Sequence, residues 1–165
     1  MDEVISRFSH LSKQIFNSLD NQSLEKCNHV SKKWQIFIRN EKSYWIRIIK
    51  SYMERENKEY AENPKLWKIF KEIRFDLVKN FALTLQKKFK QANFTWKKNY
   101  VPQRSTTLLH LIVKYPLENQ YESLELFKII FEHDKVKNPR DLIGCTPLHM
   151  STKSGQYKIF EGNDT

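Results

Sequence analysis

The chain has 165 residues, 29% of them charged, with a net charge of +10. Its mean hydropathy of −0.69 and the absence of any apolar run near the roughly 20 residues of a bilayer span read as a soluble protein of one or two small domains. Asp2 and Glu3 do not fit the basic-then-apolar layout of a secretory leader. Cys27 and Cys145 are too few and too far apart for a disulfide framework, so a cytoplasmic or nuclear setting is expected.

With only three glycines and five prolines, few positions interrupt a helix, and the expected fold is all-α. Ile5, Phe8, Leu11, Ile15, Phe16 and Leu19 recur at gaps suited to one face of a first helix over 4–19. Asp20 supplies an N-cap for a second, carrying Leu24, Cys27, Val30 and Trp34. A third short helix holds Tyr44, Trp45, Ile48 and Ile49. Helices this short need a neighbour or a partner to persist.

The stretch IFNSLDNQSLEKCNHVSKKWQIFIRNEKSYWIRII resembles an F-box. The family pattern of Ile-Phe-x-x-Leu, Asp, a second helix beginning near Leu, Val-x-x-x-Trp and a final Trp falls on Ile15, Phe16, Leu19, Asp20, Leu24, Val30, Trp34 and Trp45 without insertion. The family's opening Leu-Pro is replaced by Arg7-Phe8, leaving Phe8 as the apolar residue there. The resemblance covers residues 4–53. It implies docking onto a Skp-type adaptor of a cullin–RING ubiquitin ligase through Phe8, Leu11, Ile15, Phe16, Leu19, Leu24, Val30 and Trp34. The physics of a small unit agrees: so few residues cannot cover all their own Leu, Ile, Phe and Trp.

Residues 54–104 read as a basic helical spacer. Asn63-Pro64 offers a cap and a first-turn proline. From Leu66 through Phe70, Ile73, Leu77, Phe81 and Leu85 to Phe89 the steps of three and four predict one amphipathic helix of about 25 residues. The segment holds thirteen basic and six acidic residues, and no Asp or Glu lies between Asp76 and Glu118. A solvated basic face is the plain reading. Nucleic acid bound between Lys79 and Arg104 is the alternative, with Trp96-Lys97-Lys98 as its one aromatic–basic cluster.

An internal repeat follows. Thr107-Leu108-Leu109-His110 and Thr146-Pro147-Leu148-His149 lie 39 positions apart. The second copy, with Gly144 before it and Gly155 six residues after its histidine, is similar to the ankyrin repeat. That resemblance implies a degenerate first repeat over 105–141 and an incomplete second over 142–161, about one and a half in all. Thr107 and Thr146 would cap helices with His110 and His149, Pro147 would open the helix, Leu148 would point to the core, and the glycines would take turns. A six-residue insertion around Pro116 to Tyr121 accounts for the long spacing.

No phosphate loop, His-Glu-x-x-His or Cys-x-x-Cys occurs, so neither an enzyme nor a metal or cofactor site is expected. The order of motifs implies an adaptor that brings an unknown client, held by the ankyrin segment, to a ubiquitin ligase. An ankyrin scaffold with a decayed F-box is the competing reading.

Overall fold

The computed structural model describes residues 7–92, 106–134 and 138–153, the side chains of 90–92 excepted; Val4 and Ile5 of the first expected helix, and Gly155, lie outside these. Every regular element among them is a helix. In chain order these are α1 (Ser9–Ser18), α2 (Asn21–Cys27), α3 (Lys32–Arg39), α4 (Lys42–Glu56), α5 (Lys58–Ala61), α6 (Pro64–Glu72), α7 (Phe75–Ala92), α8 (Leu108–Lys114), α9 (Gln120–His133) and α10 (Pro147–Lys153). None is long and apolar enough to cross a membrane. The chain divides into two compact units, 1–48 and 49–165.

In the first unit, α2 and α3 each start at a side-chain cap. Asp20 accepts the Ser23 amide hydrogen at 2.7 Å and opens α2. Ser31 accepts that of Trp34 at 3.2 Å and opens α3. The second cap corrects the sequence reading. Leu24 to Trp34 is not one helix: α2 ends at Cys27, and the chain turns through Asn28 to Val30 before α3 begins. Phe16, Leu24 and Ile38 form the buried centre, with Leu19, Cys27, Trp34, Phe37 and Tyr44 packed around it. Phe16 meets Trp34 edge-on at 5.2 Å between centroids and Phe37 at 5.6 Å. Trp45 is buried and donates its indole hydrogen to the Arg39 carbonyl at 2.8 Å, taking up a carbonyl at the end of α3.

In the second unit, Asn63 and Pro64 open α6 as cap and first-turn proline. The single 25-residue helix expected from Leu66 to Phe89 is instead two. Ile73 is extended (ψ 145°), so α6 stops at Glu72 and α7 starts at Phe75. The apolar rhythm survives the break because Ile73 remains buried while leaving the helix. On α7, Leu77, Phe81, Leu85 and Phe89 all face inward. Helix α8 is buried at every position from Leu108 to Val113, apolar on all sides but for His110. It packs against both α9 and α10, while α9 also reaches α6. Tyr60 ties α5 to the end of α9 by donating to Asp134 Oδ2 at 2.8 Å. Burial and the Asp134 charge push the Tyr60 phenol well above its ordinary range, so it stays a donor.

Candidate functional site

On α1, successive residues turn by about 100°, so apolar side chains cannot all share one face. Ser12 and Phe16 are buried. Phe8, at the N-cap, with Leu11 and Ile15 at steps of three and four, lies on the adjoining face and is 43% to 56% exposed. Val30, in the turn after α2, is 63% exposed. The residues singled out in the sequence therefore divide. Phe8, Leu11, Ile15 and Val30 are on the surface; Phe16 and Leu24 are in the core; Leu19 and Trp34 are half-buried between them.

What holds α1 in place was not visible in the sequence. Arg47 of α4 donates to the Phe16 carbonyl (3.3 Å) and the Leu19 carbonyl, while its Nε donates to Asn21 Oδ1 at 3.1 Å. Those carbonyls belong to the last turn of α1 and the residue just past it, where groups lack helical partners. The planar guanidinium serves both helix and loop at once. Ser43 donates to Asn17 Oδ1 at 3.1 Å, and Lys13 pairs with Glu41 at 2.7 Å. An apolar stripe on a helix braced this way is displayed in one orientation.

Inside the unit, Asn28 donates to the Tyr44 hydroxyl at 2.9 Å, and burial raises the Tyr44 phenol above its ordinary value. The Ser23 amide hydrogen holds the Asp20 carboxyl below its ordinary value, as a helix cap should.

The second unit carries two capping boxes of the same sequence type. Thr107 N–H donates to His110 Nδ1 at 3.2 Å, and Thr107 Oγ1 lies 3.0 Å from the same nitrogen. Thr146 N–H donates to His149 Nδ1 at 3.3 Å, with Oγ1 at 2.7 Å. Their surroundings differ. His110 is fully buried and its Nε2 lies 3.0 Å from the Cys145 carbonyl, whereas His149 is exposed. With Nδ1 accepting an amide hydrogen, Nε2 carries the proton and donates to that carbonyl. Burial lowers the His110 pKa below its ordinary value and keeps the ring neutral.

Cys145 closes a tight turn built on Asp141. Asp141 Oδ1 accepts from the Ile143 and Cys145 amides at 3.0 and 2.8 Å, and Gly144 N–H returns to the Asp141 carbonyl at 2.9 Å. Gly144 has φ of +78°, which an L side chain rarely adopts. Pro147 and Ser151 are the buried pair of α10. Leu148 is half exposed rather than in the core, because the buried stripe runs through 147 and 151 and position 148 is a third of a turn away.

Both His110 ring nitrogens are committed to structure, and no group of three His, Cys, Asp or Glu able to hold a metal occurs among the described residues. A hollow of about 370 Å³ lies beside α7 and the start of α9, but its polar groups serve one another: Asn80 donates to Glu122 at 3.1 Å and Lys87 sits 3.9 Å from Glu118. Among the described residues, large apolar side chains are left exposed at Leu142, Ile143 and Leu148 in the second unit and, on a single braced helix, along the α1 stripe. No protein-family model, curated protein or solved structure matches the chain.

Proposed function

We propose that the chain is a substrate-recruiting adaptor of a Skp–cullin-type ubiquitin ligase. Residues 7–48 would dock on the Skp-type subunit, and the ankyrin-like end would hold a client. The observation that carries this is the exposed Phe8, Leu11 and Ile15 stripe, on a unit whose sequence follows the F-box pattern. Fully burying an aliphatic or aromatic side chain contributes about 1.5–3 kcal/mol, so three half-exposed ones offer a partner a few kcal/mol. A few well-packed anchors carry most of the energy of a protein interface. The mechanism is proximity: a tethered client meets the conjugating enzyme at raised effective concentration. A cytoplasmic or nuclear location goes with this role.

The test is titration of a purified Skp-type adaptor with the full chain and with Leu11→Asp and Ile15→Asp. Both positions are exposed, so the variants should keep the native circular dichroism while losing at least about tenfold in affinity, or 1.4 kcal/mol. Substitution of Phe16 or Leu24 would instead attack the core. Absence of binding by the unaltered chain, or equal binding by both variants, rejects the adaptor role and leaves the ankyrin-scaffold reading.

A further inference from the structure

Helix α3 is two turns long, about 12 Å at 1.5 Å per residue, and its two sides differ. Ile38 is 1% exposed and lies in the core, with Trp34 and Phe37 packed beside it. The opposite side presents Lys32, Ile36 and Arg39, at steps of four and three, with Lys33 next to them; all four are exposed. Ile36 leaves 52% of its surface in water.

The cations outnumber the acidic groups of their unit. Residues 7–48 hold eight Lys and Arg against three Asp and Glu. Of those three, Asp20 caps α2 and Glu41 is taken by Lys13, leaving only Glu25. Among the described residues none of Lys32, Lys33 and Arg39 forms an ion pair. An aliphatic side chain ringed by three free cations is complementary to a surface with carboxylates around an apolar spot.

We infer that the Lys32–Ile36–Arg39 face of α3 is a second contact with the Skp-type adaptor, met there by an acidic strip with an aliphatic centre. This rests on the adaptor reading of residues 7–48. The α1 stripe supplies apolar contact and the α3 face supplies charge, which acts mainly on the rate of encounter. A lipid surface fits less well. One isoleucine on a two-turn helix offers too little apolar area to lie in an interface, where amphipathic helices bury a whole stripe. A phosphate backbone would satisfy the cations and leave Ile36 facing charge.

The experiment measures association and dissociation rates of the full chain with purified adaptor at about 50 and about 300 mM salt, across which the screening length shortens from about 14 to about 6 Å. The unaltered chain should associate about tenfold more slowly at the higher salt. The combined Lys32→Glu, Lys33→Glu and Arg39→Glu variant, with native circular dichroism, should associate about tenfold more slowly at low salt and lose the salt dependence. Ile15→Asp should instead dissociate faster at both salts with the salt slope kept. Ile36→Asp should also dissociate faster. If the unaltered chain binds but the triple variant matches it, the α3 inference falls and the adaptor reading stands. If the unaltered chain does not bind, both fall. If phosphatidylserine vesicles or a duplex oligonucleotide lose the triple variant while the adaptor does not, the face serves lipid or nucleic acid and the inference is overturned.

Discussion

The two Thr-x-x-His boxes make an internal comparison, because the same chemistry sits once in the core and once at the surface. Truncating His110 to Ala leaves the Thr107 amide hydrogen without an acceptor, takes from the Cys145 carbonyl one of its two donors (the Asp141 amide stays, at 2.9 Å), and opens space in a buried site. Each buried polar group left unmade costs about 1–3 kcal/mol, and the cavity adds to that, so His110→Ala should cost about 3–5 kcal/mol. His149→Ala removes the same two Thr contacts, and Thr146 is itself buried, but the His149 ring lies at the surface, so water can take its place. It should cost about 1 kcal/mol or less. Urea unfolding followed by circular dichroism reads both. His110 also gives the stability a direction with pH. Its folded pKa lies below the ordinary 6.5 through burial, so on acidification the unfolded chain takes the proton first. The His110 contribution is complete above 6.5, declines as pH falls from there towards the folded pKa, and then levels off. His110→Gln should remove that decline. Equal costs for the two alanine variants, or an acid decline unchanged in His110→Gln, would refute the assignment of the buried histidine as the pin between α8 and the Asp141 turn.

Two further outcomes test the scaffolding. Arg47→Lys keeps the charge but not the fork that reaches two carbonyls and Asn21, so thermal unfolding should show the 1–48 unit weakened by about 1–2 kcal/mol. Gly144→Ala should cost about 1–2 kcal/mol of the second unit's stability, and the cost is one of backbone alone, because nothing lies within 4 Å of the added methyl. Gly144→Asn should cost less, since asparagine tolerates that conformation better.

The helical character was legible in the sequence because glycine and proline are scarce and apolar residues recur at three and four. The breaks were not. Val30 keeps step with Leu24 and Cys27, so periodicity runs straight through a turn that Ser31 ends by capping α3. Ile73 hides the second break in the same way, buried while extended. Spacing reports which residues face one side, and an extended residue placed between two helices can preserve it. The docking stripe was half legible. Periodicity placed Phe8, Leu11, Ile15 and Phe16 together, but which side of α1 turned inward depended on Ser12, a small polar residue that packs because its hydroxyl bonds the Phe8 carbonyl at 3.2 Å. Arg47 carried no signal at all, since a guanidinium reaching carbonyls 31 and 28 positions back follows no local pattern. Ile36, off the inward face of α3, was equally silent until the burial of Ile38 fixed the helix's rotation.

The guanidinium clamp also orders events in time. During synthesis the final turn of α1 emerges long before Arg47 does, and until then its terminal carbonyls can be served only by water. The greasy ridge on α1 therefore gains a fixed bearing late, once α4 has formed, and a chain cut short at residue 40 would carry those same side chains without the frame that aims them.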